Sequence, residues 1–250
     1  AGPSKHFKTS FGLIMAAAYL NKYKDAVLLF YDSEFGSPQS YFEQYGIDTS
    51  RVLHTPVTNA EELKFDIIGQ LEGFDRKDHV TPYLNIKNIP MIAVNHTYQE
   101  IGLFPKAIVS GGTGIYYSAD NIWILGRRQN KKGTDVVGYD FVINVEKSRY
   151  VKEKSKIPIS VSWEGGVQKW SGLLEVAMQG KYVTKPNPGW YCRVDQETGE
   201  LSDKKVREAD TLDEEFWKPI FEETNFSDYL TECFKIGGNA VFDELDEEVA

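Results

Sequence analysis

The first residues of the chain have the types and the spacing of a phosphate-binding loop. Gly2, Lys8 and Thr9 fit the pattern G-x-x-x-x-G-K-[ST], except that Phe7 replaces a glycine that would permit positive φ. Loops of this kind point backbone N–H groups at phosphate oxygens at a helix N-terminus. Lys8 would then contact the β and γ phosphates, and the Thr9 hydroxyl would bind Mg²⁺. The alternative is an ordinary loop that caps a helix.

A carboxylate that could act on water follows the first apolar run. Residues 26–34 (AVLLFYDSE) are typical of a buried parallel strand, and Glu34 lies at the edge of such a sheet where ligands bind. A carboxylate there can orient or deprotonate a water that attacks a γ-phosphate. One alternative takes this run as the strand whose Asp32 holds Mg²⁺, and another takes Glu34 as a solvated surface residue.

The elements that must position these groups alternate between helix and strand. Thr58 and Glu61 predict a capping box at the start of one helix. The order of the elements predicts a parallel sheet with helices on both faces. The predicted helices span 9–20, 40–46 and about 58–72, with a helix end at 81–86, and the predicted strands span 26–34, 51–56 and 89–96.

The second half of the chain has shorter connections and alternating apolar residues. This pattern predicts an antiparallel extension of the sheet, with strands at 121–125, 138–147 and 157–163. We expect residues 126–133 (GRRQNKKG) to form a basic hairpin tip. A helix at 170–179 and an acidic, helical C-terminal segment complete the chain.

Composition excludes several classes of protein. The net charge of −9 excludes a surface that is basic throughout, although residues 121–160 hold nine Lys/Arg against four Asp/Glu. Residues 195–250 hold five Lys/Arg against eighteen Asp/Glu, which predicts an acidic appendage. No apolar run is long enough to span a bilayer, and no secretory signal is present. Two cysteines make neither a disulfide framework nor a zinc site, and we expect them to be reduced in the cytoplasm.

Two elements that a nucleoside triphosphatase needs are not evident. No apolar strand precedes the loop at Gly2, and no second strand ends in the Asp that steadies Mg²⁺. After Val80 the sequence continues directly with Thr81 and Pro82. We therefore expect the numbering to run over a missing segment between residues 80 and 81.

Six stretches, taken in order, resemble RecA-type recombinases and more closely the UvsX recombinases of T-even-like bacteriophages. They are AGPSKHFKTS, LLFYDSEFG, IPMIAVNHTY, GGTGIYYSAD, INVEKSRYVKEKSK and NPGWYCR. The resemblance implies an α/β fold with a RecA-like P-loop ATPase core at 1–195. That core would have a mainly parallel, twisted sheet with an antiparallel extension, flanked by helices. A small acidic helical lobe would follow at 196–250.

The resemblance also implies roles around a bound ATP and Mg²⁺. Glu34 takes the catalytic position with Lys8, His96 takes the γ-phosphate sensor position, and Tyr41 takes the adenine-stacking position. Tyr41 could equally be a structural residue, and a lone histidine at a strand end, such as His96, is more often structural than functional. The implied nucleotide-binding residues are Gly2, Pro3, Ser4, Lys5, His6, Phe7, Lys8, Thr9, Ser10 and Tyr41, with Thr9 also on the metal.

Two further segments acquire roles from the resemblance. Residues 97–114 form the second DNA-binding loop, with Lys106, Gly111 and Gly112 as contacts, although a lid or an interface loop is an alternative. Lys147 and Arg149 are cations that reach the ATP of a neighbouring subunit. The lysines that follow, at 152, 154 and 156, either contact DNA or guard an exposed strand edge.

The implied function is an ATP-dependent recombinase that forms helical filaments on single-stranded DNA and pairs it with homologous duplex DNA. Single-strand-binding and mediator proteins are expected partners, a membrane is not, and the expected location is the cytoplasm of the infected bacterium. One alternative is a nucleotide-binding, self-associating core without ATP turnover. Another is a P-loop kinase that acts on a small molecule.

Overall fold

The computed structural model describes residues 1–70, 89–101 and 105–236. The chain divides into two compact units, with the division between Ser118 and Ala119. Both helices and strands are present in each unit, as an α/β protein requires. Among the described residues, no helix is both long enough and apolar enough to cross a membrane.

Helix α1 (Lys8–Lys22) opens the first unit and confirms the helix predicted after the glycine-containing loop. Its buried residues recur at helical spacing on one face, so the helix presents a continuous apolar stripe. Full burial of Leu13 and Leu20 contributes about 1.5–3 kcal/mol each. The stripe packs on Phe42 and Ile47, and it consists of Leu13, Ala16, Ala17 and Leu20.

Two parallel strands lie beside this helix. Strand β1 (Leu28–Asp32) pairs with β2 (Val52–Pro56) in a register that sets Leu28 opposite Val52 and Asp32 opposite Pro56. Helix α2 (Gln39–Gln44) and a short 3₁₀ turn at Thr49–Arg51 form the crossover between them. The predicted β-α-β unit is confirmed, and the carboxyl ends of both strands meet at one edge.

Helix α3 (Ala60–Gln70) follows β2, as predicted, but its cap differs from the predicted one. The Glu62 carboxylate, and not that of Glu61, accepts hydrogen bonds from the backbone N–H and the hydroxyl of Thr58. Asn59 Oδ1 accepts from the Glu62 N–H, so Asn59 caps the helix. The predicted Thr58/Glu61 box is therefore wrong by one residue. The helix end predicted at 81–86 lies outside the described residues.

Residues 89–96 do not form the predicted buried strand. The segment is largely exposed, and none of the described strands pairs with it to supply a ladder of hydrogen bonds. The methyl groups of Ile92 and Val94 instead face Gly12 of α1. An apolar run alone cannot specify a strand, because a strand also needs a paired neighbour.

A short hairpin follows, and it replaces the long loop predicted at 97–114. Strands β3 (Thr97–Gln99) and β4 (Ala107–Val109) pair antiparallel, and helix α4 (Gly112–Ser118) begins three residues after β4. Gly111 and Gly112 have φ of 100° and 76°, a left-handed conformation that favours glycine. The glycines thus turn the chain from the hairpin into the helix.

The second unit contains a four-stranded antiparallel sheet in the order β5-β6-β7-β8. Its strands are β5 (Asn121–Lys132), β6 (Asp135–Ser148), β7 (Lys156–Ser162) and β8 (Gly166–Val167). The antiparallel pairing is confirmed. The predicted basic tip is wrong, because residues 126–132 are part of β5 and only Gly133 and Thr134 form the turn. The described strands form four separate sheets, and a single mainly parallel sheet stays a prediction.

The C-terminal part packs around Trp217. Its elements are α5 (Leu173–Gln179), β9 (Val183–Asn187), β10 (Trp190–Arg193), β11 (Val206–Arg207), α6 (Glu214–Glu223) and α7 (Phe226–Phe234). Trp217 is fully buried, and its indole N–H donates to the carbonyl of Thr211. The buried cluster joins residues on both sides of the predicted boundary at 195/196, including Tyr182 and Phe226. That boundary stays a prediction.

Candidate nucleotide-binding site

The loop before α1 adopts a conformation that most side chains disfavour. Lys5 and Phe7 have φ of 58° and 55°, in the left-handed region. Phe7, which stands where the pattern has glycine, therefore has the positive φ that glycine would adopt without strain. The Gly2 N–H donates to the carbonyl of Asn95 at 3.1 Å, which attaches the loop to the segment before β3.

Lys8 lies over this loop at the first position of α1. Its ammonium group donates to the Pro3 carbonyl at 2.8 Å, and the His6 Nδ1 atom lies 2.9 Å from the Ser4 carbonyl. Burial lowers the pKa of Lys8, and the Glu34 carboxylate opposes this effect only in part. A desolvated ammonium group gains most from an anionic partner, so the position suits a phosphate.

Tyr41 is connected to the same helix. Its phenol lies 2.6 Å from the Ser10 hydroxyl, and its ring meets that of Tyr45 edge-on at 5.5 Å. Thr9, half-buried in the first turn, lies between Lys8 and Ser10. The fold thus brings Tyr41 to the helix that begins at the loop, and its proposed contact with adenine stays a prediction.

Glu34 and His96 meet across the carboxyl edge of the parallel strands. The Glu34 Oε1 atom lies 3.4 Å from the His96 Nε2 atom, and both side chains are exposed. Glu34 follows β1 directly, and His96 precedes β3. The predicted catalytic and sensor residues are therefore neighbours, although 61 positions separate them in the sequence.

Asn95 was missed by sequence reasoning, and it links the loop to the glycine turn. Its backbone carbonyl accepts the hydrogen bond from the Gly2 N–H, and its side-chain Nδ2 donates to the Ser110 carbonyl at 2.6 Å. The Ser110 N–H in turn donates to the His96 carbonyl at 2.9 Å. The sequence signal was a pair of polar residues, Asn95 and His96, at the end of an apolar run. That pattern does not indicate which groups the two side chains bond to. Lys106 is exposed between β3 and β4.

The two predicted trans cations lie at the end of β6 in the second unit. The Arg149 guanidinium pairs with Asp120 at 2.9 Å and remains 66% exposed. Lys147 donates to the Ala119 carbonyl at 2.8 Å. Between them, the Ser148 hydroxyl accepts from the N–H groups of Tyr150 and Val151, which fixes the turn.

The comparison with known proteins identifies the family. The recombination and repair protein of Enterobacteria phage T4 is 42% identical over 282 aligned positions, which cover 95% of this chain and 72% of the relative. The chain belongs to the family of this phage recombination and repair protein. Residues 170–230 match the family model for the C-terminal domain of the bacteriophage T4 recombination and repair protein. This range contains the cluster around Trp217.

A more distant likeness connects this chain with RecA. Protein RecA of Limosilactobacillus reuteri (strain DSM 20016) is 23% identical over 112 residues, or 44% of this chain and 31% of RecA. The alignment to the phage T4 relative is longer than the 250 residues of this chain. The relative therefore has residues without a counterpart here.

Proposed function

We propose that this chain is an ATP-dependent DNA recombinase that binds single-stranded DNA as a helical filament and pairs it with homologous duplex DNA. Membership of the phage recombination and repair family supports the recombinase role. The approach of Glu34 to His96, beside the loop that begins at Gly2, is the observation that supports ATP as the energy source.

The donor set around α1 fits a triphosphate with Mg²⁺. The ammonium of Lys8 exchanges the Pro3 carbonyl for the β and γ phosphates, and the Thr9 hydroxyl takes a place on the metal. A Mg²⁺ ion held there would supply positive charge against the negative charge that develops on the phosphate. Tyr41 offers a ring to the adenine base. The residues from Gly2 to Ser10 and Tyr41 are thus the proposed nucleotide-binding set.

Hydrolysis follows from the placement of Glu34. Its carboxylate accepts a proton from the water whose oxygen attacks the γ-phosphorus, and the bond from that phosphorus to the β–γ bridging oxygen breaks. His96 donates to a γ-phosphate oxygen and exchanges this partner for Glu34 once phosphate leaves. The hydrogen bond that the Ser110 N–H donates to the His96 carbonyl then carries the nucleotide state to Gly111 and Gly112.

DNA and a second copy complete the proposed assembly. Lys106 contacts DNA phosphates, while the left-handed Gly111 and Gly112 let the backbone approach them. Lys147 and Arg149 stabilise the γ-phosphoryl charge of a neighbouring copy. Single-strand-binding and mediator proteins are proposed partners, and the cytoplasm of the infected bacterium is the proposed location.

A second candidate function is a nucleotide-binding, self-associating core that does not hydrolyse ATP. The alignment with the phage T4 relative has 282 positions, more than the 250 residues of this chain, so the relative has residues that this chain lacks. This favours the second candidate, because the strand whose Asp would steady Mg²⁺ was predicted to be missing between residues 80 and 81. A measured intact mass equal to the 28.4 kDa of this sequence would support a chain without that segment.

The test measures binding of a fluorescent ATP analogue with Mg²⁺, and ATP hydrolysis with and without single-stranded DNA. We expect DNA to raise hydrolysis several-fold, and Lys8→Ala to abolish hydrolysis and weaken binding by about a hundredfold. Lys24→Ala, at an exposed lysine after α1, is the matched control. Turnover that persists in Lys8→Ala rejects the site, whereas binding without turnover in the parent chain selects the second candidate.

A further inference from the structure

The carboxylate of Asp32 is a buried charge that the proposed hydrolysis does not use. Asp32 ends β1 and is only 7% exposed. Its Oδ1 atom accepts the backbone N–H of Glu34 at 3.0 Å, and its Oδ2 atom accepts that of Ser37 at 3.2 Å. Both donors belong to the turn that connects β1 to α2. One side chain thus holds both ends of the turn that carries Glu34.

His54, on the neighbouring strand, completes the surroundings of this carboxylate. The parallel register sets His54 opposite Phe30, and its Nε2 atom lies 3.6 Å from Asp32 Oδ2. Its ring meets Phe30 and Phe42 edge-on at 5.3 Å and 5.6 Å. Packing therefore fixes the ring while one nitrogen faces the carboxylate.

The turn needs this support because its backbone is strained. Phe35, directly after Glu34, has φ of 54° and is 63% exposed. A left-handed conformation costs a bulky residue about 1–3 kcal/mol and persists only where neighbouring contacts enforce it. The two hydrogen bonds to Asp32 flank this residue on either side. They are the contacts that can enforce its conformation.

We infer that Asp32 and His54 are positioning residues that hold the turn at 33–37 so that the Glu34 carboxylate projects toward His96. This inference rests on the proposed role of Glu34 in hydrolysis. A displacement of about 1 Å in a catalytic group can lower a rate by about a hundredfold. A turn that relaxes at Phe35 would move Glu34 by such a distance, without altering the loop at Gly2 that holds phosphate.

The charge state of Asp32 agrees with this role. Burial raises the pKa of the carboxyl, but the hydrogen bonds from Glu34 and Ser37, together with nearby His54, outweigh it and lower the pKa below its usual value. Asp32 is therefore ionised at neutral pH. An ionised carboxylate accepts from both N–H groups at once, which an amide of the same shape cannot do.

The test compares three variants of the chain with the parent. Asp32→Asn removes one of the two acceptors, His54→Phe keeps the aromatic packing without the polar nitrogen, and His54→Gln restores a donor. The readouts are kcat and KM for DNA-stimulated ATP hydrolysis, affinity for a fluorescent ATP analogue, and hydrogen exchange at the Glu34 and Ser37 amides.

We expect Asp32→Asn to lower kcat by about tenfold or more while KM and nucleotide affinity change by less than about twofold. Exchange should accelerate by about tenfold at the amide that loses its acceptor, and by a smaller factor at the other amide because the turn is held at one end only. His54→Phe should lower kcat by about threefold, and His54→Gln should recover most of that loss. The His54 pair keeps the inference testable if Asp32→Asn fails to fold.

Unchanged exchange at Glu34 and Ser37 in the variants overturns the inference. Loss of nucleotide affinity in Asp32→Asn that excess Mg²⁺ restores also overturns it, because that result makes Asp32 a metal ligand. A parent chain that binds ATP without hydrolysing it contradicts the recombinase proposal instead. In that case hydrogen exchange still decides whether Asp32 holds the turn.

Discussion

At the scale of single residues, the candidate site depends on side chains in unfavourable backbone conformations. Phe7 and Phe35 both have left-handed φ, one before Lys8 and the other after Glu34. Each flanks a residue proposed to act on phosphate. Such strain is found where the surrounding structure holds a functional group in place. We therefore propose that the conformation of Phe7 affects nucleotide binding.

Substitution of Phe7 tests this dependence. Phe7→Gly should leave affinity for a fluorescent ATP analogue within about twofold, because glycine adopts φ near 55° without strain. Phe7→Val should weaken affinity by about tenfold, because a β-branched side chain disfavours that conformation by a further 1–2 kcal/mol or so. Fluorescence titration measures both. Equal binding by the valine variant would show that the loop conformation does not matter.

At the scale of elements, the end of α7 is attached to the segment that carries Arg149. The Lys152 N–H donates to the Phe234 carbonyl at 2.8 Å, and the Ile236 N–H donates to that of Tyr150 at 3.1 Å. The Lys152 ammonium donates to the carbonyls of Glu232 and Cys233, at the negative end of the helix. The sequence predicted that Lys152 either contacts DNA or guards an exposed strand edge. In the structure it instead caps the C-terminal end of α7.

Removal of that ammonium group should loosen the attachment. Lys152→Met keeps the length of the side chain, and we expect it to lower the free energy of unfolding by about 1 kcal/mol. Lys154→Met, two residues away and exposed, should change it by less than about 0.5 kcal/mol. Urea denaturation of both variants provides the comparison. Equal stabilities would contradict a capping role for Lys152.

At the scale of the whole molecule, the proposed chemistry draws on both units of the chain. Lys8 and Glu34 belong to the first unit, while Lys147 and Arg149 belong to the second. We propose that the cations act on the nucleotide of a neighbouring copy, so a complete site needs two copies. Residues 121–160 carry an excess of positive charge, which favours contact with the phosphates of ATP or DNA.

A mixing experiment tests whether the cations act between copies. Lys8→Ala and Arg149→Ala should each lose DNA-stimulated hydrolysis, although Arg149→Ala should still bind ATP as a monomer. An equal mixture should recover about a quarter of the parent rate, because that fraction of random neighbour pairs combines an intact Lys8 with an intact Arg149. Phosphate release measures the rate. A mixture as inactive as its components would place both groups in one copy.

The sequence by itself predicted the local elements and the residue types of the site. Apolar runs and helical spacing determined α1, β1, α2, β2 and β7, because these patterns depend on residues a few positions apart. The spacing from Gly2 to Thr9 likewise indicated a phosphate loop without any knowledge of the fold. Resemblance to a known family added the roles of Glu34 and His96.

Only the tertiary structure decided which polar groups meet. The contact of Asp32 with His54, the link from Asn95 to Gly2 and Ser110, and the cap that Lys152 places on α7 all join residues far apart in the chain. The strand predicted at 89–96 failed for the same reason, since pairing depends on a distant neighbour. Local sequence specifies propensity, whereas hydrogen-bond partners follow from the path of the whole chain.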